Sequence, residues 1–417
     1  MGSGRKRTVA AAALAAGRPA VASSFRFHRP RGPVCGRGYC CACEIAAPDG
    51  RVLACETGAD AAVPRRRDLL RPLGRIAERW PPWFYERRFL RTELVRRASL
   101  DVLRRVSAAP RLGDGGGEAA APRAYVEESV GTVVVGDGVA ASADPDAYLV
   151  DPAQGDIPLG VYEGRVLGLL RGDRLLEVRF EHLVLATGSY DRLPPVDGND
   201  LPGVVGLPGL ERYAPDLPAR TRIAVWGPPE ALARAERLAA EHGFEVVWAS
   251  RHAPARIEGR GRVERIASDG GAVSCDLFVT AVEQPAIELA LQAGATVALT
   301  DGELPILVVV DAPGWLELRG AVARDASEVP DVRAPDDAFA CLCEDVRVGD
   351  LRACVASGFA HPELVKRRTG AMTGPCQGKL CASAVLSVLR EQGVDAVPTT
   401  ARPLARPVSL RDLAAHV

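Results

Sequence analysis

Eight of the eleven cysteines in this 417-residue chain form two groups of four, one near each end of the sequence. The first group is Cys35, Cys40, Cys43 and Cys55, and the second is Cys341, Cys343, Cys376 and Cys381. Four thiolates that bind one centre must converge on it, so each group fixes which loops of the chain have to meet. These cysteines constrain the fold more tightly than any other feature of the sequence.

The first quartet has the spacing with which plant-type ferredoxins hold a 2Fe-2S cluster. Cys35 opens a C-x4-C-x2-C run in VCGRGYCCAC, and Cys55 follows after eleven further residues. The glycines of this run permit a tight loop in which thiolates and backbone N–H groups converge. Cys41 directly follows Cys40, so we expect its side chain to point away from the cluster as a small packing residue. Zinc is the alternative, although structural zinc sites usually combine two similar cysteine pairs.

The second quartet has a spacing that is less specific by itself. It reads C-x-C, then thirty-two residues, then C-x4-C. Periodicity and following glycines predict three helices in this region, over 348–357, 362–369 and 380–391. Two short loops would then close over one metal site, and a zinc-stapled helical module remains the alternative to a second 2Fe-2S cluster. Cys354 and Cys275 are predicted to be buried packing residues.

Composition limits the function classes that remain. A hydrophobic content of 47% and a formal net charge of −1 predict two to four globular domains and no nucleic-acid partner. The cysteine usage fits a reducing compartment better than a secreted disulfide scaffold. The N-terminal Ala-rich stretch imitates a signal peptide, but it is interrupted by Gly17 and Pro19. We therefore expect a cytoplasmic protein without a transmembrane segment, and leave a peripheral membrane contact open.

Glycine and proline positions divide the chain into five predicted regions. They are a first cluster domain over 1–62, a basic helical connector and linker over 63–124, an α/β domain over 125–335, a second cluster domain over 336–395, and a tail over 396–417. In the connector, arginines alternate with aromatic residues. This mixture could contact single-stranded nucleic acid, but helices that pack an aromatic face on a neighbour explain it better.

Short Val- and Ala-rich strands alternate with Ala/Leu/Glu helices between residues 125 and 335, which predicts a doubly wound α/β fold. Both candidate nucleotide-binding turns of this region are defective. The turn at 136–141 fits G-x-G-x-x-A, but the next strand begins too soon for a crossover helix. The turn at 226–230 has one glycine, and Pro228 and Pro229 lack the N–H groups that bind phosphate. We therefore do not expect NAD(P) binding.

Three segments carry a family resemblance: SFRFHRPRGPVCGRGYCCACEI, LVLATGSYDRLPPVDGNDLPGV, and FACLCEDVRVGDL with ELVKRRTGAMTGPCQGKLC. They resemble the α-type subunits of heteromeric flavin-dependent amine oxidoreductases. That family includes sarcosine oxidase, opine oxidase, D-hydroxyproline and proline dehydrogenases, and hydrogen cyanide synthase. The likeness extends over nearly the whole chain.

The resemblance implies three folded parts in an α/β chain. These are an N-terminal β-grasp ferredoxin-like domain, a degenerate doubly wound domain like that of pyridine-nucleotide-disulfide reductases, and a small helical domain like bacterioferritin-associated ferredoxin. It implies a 2Fe-2S cluster on each cysteine quartet. TVAAAALAAGRP resembles the first helix of the ferredoxin-like domain.

The resemblance also implies a flavin-contacting segment. Ala186, Thr187 and Gly188, with Arg192 beyond them, match the strand end at which small residues let the backbone approach FAD. The first Gly-rich unit is largely missing, and Ala321 follows Gly320 where the family has Gly-Asp. Half of an FAD site remains, which leaves FAD binding by this chain open.

The resulting hypothesis is an electron-transfer subunit of a flavin-dependent dehydrogenase or oxidase that acts on the C–N bond of an amino acid derivative. Electrons would come from a glycine-oxidase-like flavoprotein β-type subunit, cross the two clusters and reach an acceptor such as a quinone. No residue of the chain is assigned as catalytic. Two alternatives are a free-standing FAD-dependent NAD(P)H oxidoreductase and a zinc-stabilised, non-redox assembly subunit.

Overall fold

The structure is a computed structural model of the 417-residue chain. It describes residues 6–24, 26–47, 50–61, 123–136, 145–323 and 328–406, together with 408, 413, 415 and 416. The predicted connector and most of the linker that follows it lie outside the described residues, as does most of the first candidate nucleotide-binding turn. The domain boundaries drawn from the sequence remain predictions.

Strands outnumber helices in the described part of the chain. In chain order the strands are β1 (Ala22–Ser23), β2 (Pro30–Arg31), β3 (Glu44–Ala47), β4 (Gly50–Leu53), β5 (Arg123–Val135), β6 (Tyr148–Val150), β7 (Ile157–Tyr162), β8 (Val166–Arg171), β9 (Arg174–Leu185), β10 (Ser189–Asp191), β11 (Val204–Gly206), β12 (Arg222–Trp226), β13 (Glu245–Ser250), β14 (Arg256–Glu258), β15 (Arg265–Ser268), β16 (Gly271–Ser274), β17 (Leu277–Thr280), β18 (Glu283–Pro285), β19 (Thr296–Leu299), β20 (Leu307–Asp311), β21 (Leu316–Leu318), β22 (Phe339–Cys341), β23 (Val346–Arg347) and β24 (Ala415–His416). The α-helices are α1 (Val9–Ala15), α2 (Leu207–Tyr213), α3 (Pro229–His242), α4 (Glu288–Gln292), α5 (Val348–Ala356), α6 (Pro362–Thr369) and α7 (Ala382–Glu391).

The chain divides into two compact units, and each is assembled from three separate segments. Unit 1 comprises residues 1–116, 193–281 and 333–350. Unit 2 comprises residues 117–192, 282–332 and 351–417. Long-range contacts rather than sequence neighbours therefore define each unit.

Unit 1 contains a parallel four-stranded sheet in the order β11-β17-β12-β13. Helix α3 connects β12 to β13, as parallel pairing requires. It begins after Pro228 and ends at Gly243, whose φ of 72° gives the left-handed C-cap that glycine adopts without strain. Ile223 and Val225 of β12 are fully buried, which explains the continuous apolar sequence of that strand.

The N-terminal part of unit 1 packs on the core of this sheet. Thr8 caps α1, because its side chain accepts a hydrogen bond from the N–H of Ala11. Ala10 and Leu14 are buried in the same core as Cys43 and Cys55. Strands β1 and β2 form one antiparallel pair and β3 and β4 another. The helix predicted in TVAAAALAAGRP is therefore confirmed.

Unit 2 contains a seven-stranded mixed sheet. Its main path is β24-β5-β9-β8-β7, with β6 paired to β5 and β21 paired to β9. Strand β5 pairs in parallel with β6, β9 and β24, and β21 pairs in parallel with β9, while β7, β8 and β9 form an antiparallel meander. Val133, Leu167 and Leu183 are fully buried in its core. Within the described residues, no helix has the length and apolarity needed to cross a membrane.

The three helices predicted near the C-terminus are all present. Gly370, with a φ of 82°, ends α6, and Gly393 has a φ of 74° just beyond α7. Helix α7 begins two residues later than the pattern predicts, because 376–381 forms turns in which the N–H of Cys381 donates to the carbonyl of Gly378. Cys354 and Cys275 are 7% and 1% exposed, as predicted for packing residues.

Candidate iron-sulfur centres

The four cysteines of the first quartet lie together in the interior of unit 1. Cys35, Cys40, Cys43 and Cys55 are each at most 1% exposed. The first three come from the loop that precedes β3, and the fourth follows β4, so the β3–β4 hairpin brings it back to the loop. Gly36 and its neighbour Gly38 have φ values of 64° and 78°, which glycine adopts without strain.

Hydrogen bonds join the four sulfur groups in a chain. Cys35 shares one with Cys40 and one with Cys55, and Cys55 shares another with Cys43. The N–H groups of Arg37 and Cys40 also donate to the sulfur of Cys35, the former at 3.4 Å. Convergent thiols with backbone donors aimed at sulfur are the environment that a 2Fe-2S cluster needs.

The proton affinities of these thiols are strongly unequal. Burial acts to raise the pKa of Cys35, but the hydrogen bonds from Cys40 and Cys55 outweigh it and hold the pKa well below that of an ordinary thiol. The bond to Cys35, with burial, raises the pKa of Cys40, and bonds to Cys35 and Cys43 raise that of Cys55. The thiolate form is thus favoured at Cys35 and disfavoured at Cys40 and Cys55, and metal binding releases the proton of each thiol that becomes a ligand.

Cys41 lies outside this set of hydrogen-bonded sulfurs. Its backbone has a φ of 55°, and its thiol donates towards the carbonyl of Tyr39 at 3.8 Å. It is half-buried, whereas its neighbour Cys40 is 1% exposed. In the part of the chain that the structure describes, no group of three or more His, Cys, Asp or Glu side chains is arranged to hold a single metal ion.

Helix α2 packs directly against the cluster loop. A Cβ atom on Gly209 would lie 2.7 Å from the carbonyl oxygen of Val34 and 3.1 Å from the carbonyl carbon of Cys35. A Cβ atom on Gly36 would lie 2.9 Å from the Cα of Gly209. The N–H of Gly206 donates to the carbonyl of Val34 at 2.9 Å. The two glycines therefore allow backbone-to-backbone contact between the cluster loop and helix α2.

Replacing Gly209 by alanine should destabilise this contact. Alanine normally stabilises a helix by about 1 kcal/mol relative to glycine, but here its methyl group overlaps Val34 and Cys35, and overpacking of this kind costs about 1–3 kcal/mol. We expect a lower urea midpoint and faster cluster loss in air than in wild type. Gly314→Ala is the control, because no atom lies within 4 Å of the added Cβ. A midpoint for Gly209→Ala at or above that of the control would contradict the close contact.

The cysteines of the second quartet fall in different units. Cys341 and Cys343 belong to unit 1 and lie at the β22–β23 turn, where they are buried and half-buried. Cys376 and Cys381 belong to unit 2, between α6 and α7, and are 2% and 1% exposed. In that loop Gln377 and the adjacent glycine both have positive φ. Each pair thus occupies a tight, largely buried turn, and their assignment to one cluster stays a prediction.

One pair of the second quartet contacts the first quartet within unit 1. The thiol of Cys343 donates to the backbone carbonyl of Cys40 at 3.7 Å. Asp345, two residues further on, is fully buried and accepts hydrogen bonds from the N–H groups of Arg26 and Phe27 at 3.0 and 2.9 Å. The β22–β23 turn is thereby attached to the segment that leads into the cluster loop.

A buried ion-pair network also joins the β22–β23 turn to the segment that leads into the cluster loop. Arg31 is 3% exposed and pairs with both Asp345 and Asp200. Arg29 donates to Asp200 through Nε at 2.6 Å and Nη2 at 3.0 Å. Both guanidinium groups also lie over the ring of Phe339, each 5.1 Å from its centroid. Sequence reasoning missed this network, and the arginine-rich FRFHRPRG and the acidic CLCED were its only signals.

The proposed flavin-contacting residues lie in unit 2, and the side-chain hydroxyl of Thr187 already has a partner within the protein. The hydroxyl of Thr187 donates to the carbonyl of Ala286 at 3.0 Å. Gly188 has a φ of 74° with open space around it, and Ala186 is 8% exposed. Arg192 is buried, and burial lowers its pKa to about 10 against the opposing charges of Asp331 and Cys381.

The described residues fit only part of a flavin site. A Cβ atom on Gly136 would lie 2.5 Å from the carbonyl oxygen of Ala186, so the ends of β5 and β9 approach as closely as a dinucleotide-binding sheet requires. Asp151 follows β6 but comes too early in the chain for the acid that binds the ribose, which normally lies about twenty residues beyond the glycine-rich turn, and its carboxylate accepts from the N–H of Ala153 at 2.8 Å. We therefore derive no flavin chemistry from this chain.

The second candidate turn, in unit 1, does not fit a dinucleotide. A Cβ atom on Gly227 would lie 2.7 Å from the Cβ of Ala281, so the turn is closed against the neighbouring strand. Trp226 is fully buried before it, and Glu230 places a carboxylate in the first turn of α3. A negative charge at a helix N-terminus opposes phosphate binding. The turn therefore offers phosphate no open backbone cradle, and the absence of NAD(P) binding stays a prediction.

Two family models match the ends of the chain. Residues 5–63 match a 2Fe-2S iron-sulfur cluster binding domain, and this range contains the whole first quartet. Residues 336–417 match the sarcosine oxidase A3 domain, which contains all four cysteines of the second quartet. The first cysteine group therefore lies in an iron-sulfur domain, as its spacing predicts.

Comparison with known proteins supports the same family. The chain is 32% identical over 143 residues to an opine oxidase subunit of Rhizobium meliloti (strain 1021), a match that covers 29% of this chain and 31% of that protein. The matched segment thus spans about a third of the length of this curated relative. The crystal structure of L-proline dehydrogenase from P. horikoshii superimposes with a TM-score of 0.65 at 16% identity, covering 98% of this chain and 94% of the other. The likeness to the second protein concerns the fold.

The predicted fold class is confirmed at the level of a mixed α/β protein with an N-terminal iron-sulfur domain and a helical C-terminal part. The predicted resemblance is also confirmed by the matches at both ends. The chain thus has a 2Fe-2S domain at one end and a sarcosine oxidase A3 domain at the other, and it is similar to the α-type subunits of the heteromeric sarcosine and opine oxidase family.

Proposed function

We propose that this chain is the electron-transfer subunit of a multi-subunit flavin-dependent dehydrogenase or oxidase. Its substrate class would be amino acid derivatives with an oxidisable C–N bond, of the sarcosine, opine, proline or hydroxyproline type. The observation that carries the proposal is the buried, hydrogen-bonded cysteine quartet inside a matched 2Fe-2S domain. The similarity to the opine oxidase protein of Rhizobium meliloti supports the reaction class.

The proposed reaction balances across two subunits. The amine loses two electrons and two protons and becomes an imine, with a glycine-oxidase-like flavoprotein β-type partner providing the flavin that accepts the hydride. A quinone-type acceptor takes up two electrons and two protons. An iron-sulfur cluster supplies one-electron transfer between such two-electron partners. This chain's residues bury the cysteines, direct N–H groups at sulfur and hold the loops at a fixed spacing.

A second 2Fe-2S cluster on Cys341, Cys343, Cys376 and Cys381 is part of the proposal. All four lie within the matched A3 domain, and no disulfide joins any of the cysteines in the described residues. The contact between the thiol of Cys343 and the carbonyl of Cys40 supports electron exchange between the two quartets. Cys343 belongs to the second quartet, and from the carbonyl of Cys40 only the covalent bonds of that residue lead to its sulfur in the first quartet. Cysteines that are not joined in disulfides fit a reducing compartment such as the cytoplasm.

The two alternatives are less well supported. A free-standing FAD-dependent NAD(P)H oxidoreductase requires a nucleotide turn, and the closed turn at Gly227 with two following prolines opposes it. A zinc-stabilised assembly subunit is opposed by the match of the first quartet to a 2Fe-2S domain. FAD binding at Ala186, Thr187, Gly188 and Arg192 remains a further proposal, which rests on the close approach of the two strand ends.

Anaerobic reconstitution of the full chain with iron and sulfide tests the proposal. We expect iron and sulfide in equal amounts, visible absorption of a 2Fe-2S protein, and an electron paramagnetic resonance (EPR) signal after dithionite reduction. A preparation that binds zinc tightly and gives no EPR signal would support the assembly subunit instead. Coexpression with a glycine-oxidase-like flavoprotein should yield a complex in which an amine substrate reduces the clusters. Reduction by NADPH without that partner would favour the free-standing reductase.

A further inference from the structure

Tyr213 carries a buried hydroxyl group that the protein itself does not satisfy. It is the last residue of α2 and is fully buried, in the same core as Cys43 and Cys55. Among the described residues, its hydroxyl has no hydrogen-bond partner. Leaving a buried hydroxyl unpaired costs about 1–3 kcal/mol, so such groups in folded proteins usually have a partner.

The geometry directs this hydroxyl towards the first quartet. A Cβ atom on Gly36, which follows Cys35 in the loop, would lie 3.3 Å from both Cζ and Oη of Tyr213. The phenol end of the ring therefore abuts the backbone of the cluster loop. A tyrosine phenol has an ordinary pKa of about 10, so at neutral pH it is protonated and can donate to a negatively charged centre.

We propose that Tyr213 donates a hydrogen bond to a sulfur atom of the first 2Fe-2S cluster and raises the reduction potential of that cluster. The inference rests on the proposed function, because it requires the first quartet to hold a cluster. Reduction adds one negative charge, which makes the sulfur atoms stronger acceptors, so a donor stabilises the reduced form more than the oxidised form. Tyr213 acts here as a positioning and tuning residue, with no contact to substrate.

Helix α2 thereby takes part in the redox chemistry of the first cluster. Tyr213 belongs to α2, outside the matched iron-sulfur domain of residues 5–63. The same helix contacts the loop through Gly209, which holds the ring and the loop at a fixed distance. Without that contact the iron-sulfur domain would present this side of its cluster to water or to another protein. The potential of the first cluster would then depend on the docking of α2.

The variant Tyr213→Phe tests this inference, because it removes the hydroxyl and keeps the ring. We expect a redox titration of the reconstituted full chain, followed by EPR, to give a lower midpoint potential with unchanged iron content. A loss of about tenfold in the reduction equilibrium corresponds to about 59 mV for a one-electron couple. Tyr125→Phe is the control, because its hydroxyl donates to Glu127 in unit 2. An unchanged potential in a fully loaded Tyr213→Phe protein would overturn the inference.

Site-specific incorporation of 3-fluorotyrosine at position 213 provides a second test that does not depend on the loading of the Phe variant. The fluorinated phenol is more acidic and therefore a stronger donor, so we expect a shift of the midpoint potential in the opposite direction. A purely structural ring would leave the potential unchanged in this protein, which would refute the hydrogen bond. Absence of any cluster from the reconstituted wild type would instead contradict the proposed function.

Discussion

Replacing Cys40 by serine should abolish the first cluster, whereas the same replacement of the adjacent Cys41 should leave it in place. Cys40 is buried and hydrogen-bonded to Cys35, and the N–H of Ala42 donates to its sulfur. A serine hydroxyl there removes one of the thiolates on which the cluster depends. We expect the EPR signal and absorption of this cluster to fall to background, measured with iron content after anaerobic reconstitution.

Cys41→Ser is a closely matched control for this experiment. The two residues are neighbours, and the substitution is the same single change from sulfur to oxygen. Cys41 has a φ of 55°, and serine in that conformation is as strained as cysteine, so the backbone cost is equal. We expect wild-type iron content and an unchanged EPR spectrum. Equal loss of signal in both variants would indicate that the loop, and not the specific sulfur of Cys40, determines cluster binding.

The cluster site was predictable from the sequence because its information is local. Cys35, Cys40 and Cys43 lie within one loop, and cluster geometry restricts their spacing regardless of the rest of the fold. The same holds for the C-terminal helices, whose ends are fixed by single glycines such as Gly370. Alternation of short apolar strands with helices likewise predicted the class of the α/β region.

The contacts around the cluster were not predictable, because they join residues far apart in sequence. Arg31, Asp200 and Asp345 meet across more than three hundred residues, and no local pattern marks any of them as a partner of the others. Tyr213 is similar: as the last residue of a seven-residue helix it carries no signal of a neighbouring thiol. Strand order has the same limitation, since β17 lies between β11 and β12 in the sheet.

Replacing Asp345 by alanine should lower the free energy of unfolding of unit 1 by about 3–5 kcal/mol, the range found when one partner of a buried ion pair is removed. The change leaves Arg31 with Asp200 alone and removes the acceptor for two backbone N–H groups, those of Arg26 and Phe27. Urea unfolding followed by tryptophan fluorescence measures the loss, because Trp226 is buried in the same unit.

Asp276→Ala is the matched control for the Asp345 variant. Asp276 also pairs with an arginine of unit 1, Arg222, at 2.9 Å, but its side chain is 45% exposed. Exposed ion pairs contribute at most about 1 kcal/mol, because water screens the charges and replaces the lost contact. If Asp345→Ala costs no more than this control, the buried network does not stabilise the junction between the β22–β23 turn and the cluster loop.

The network should also give unit 1 an acid-sensitive stability. Burial acts to raise the pKa of Asp200, but the charges of Arg31 and Arg29 outweigh it and hold the pKa below its ordinary value. A carboxyl whose pKa is lower in the folded state stabilises the fold above its unfolded pKa, about 3.9, and loses this contribution as pH falls through the folded value. We expect the urea midpoint of wild type to fall below about pH 4.

The Asp200→Asn protein distinguishes this source of acid sensitivity from others. Asparagine carries no charge and does not take up a proton in this range. The urea midpoint of the Asp200→Asn protein should therefore already be low at pH 7 and should change less on acidification than that of wild type. Arg31 would then retain Asp345 as its partner, which keeps the β22–β23 turn attached. An equal acid response in both proteins would assign the effect to other carboxyl groups. Because Asp345 follows Cys343 by two residues, a loss of this attachment should also weaken the contact between Cys343 and Cys40.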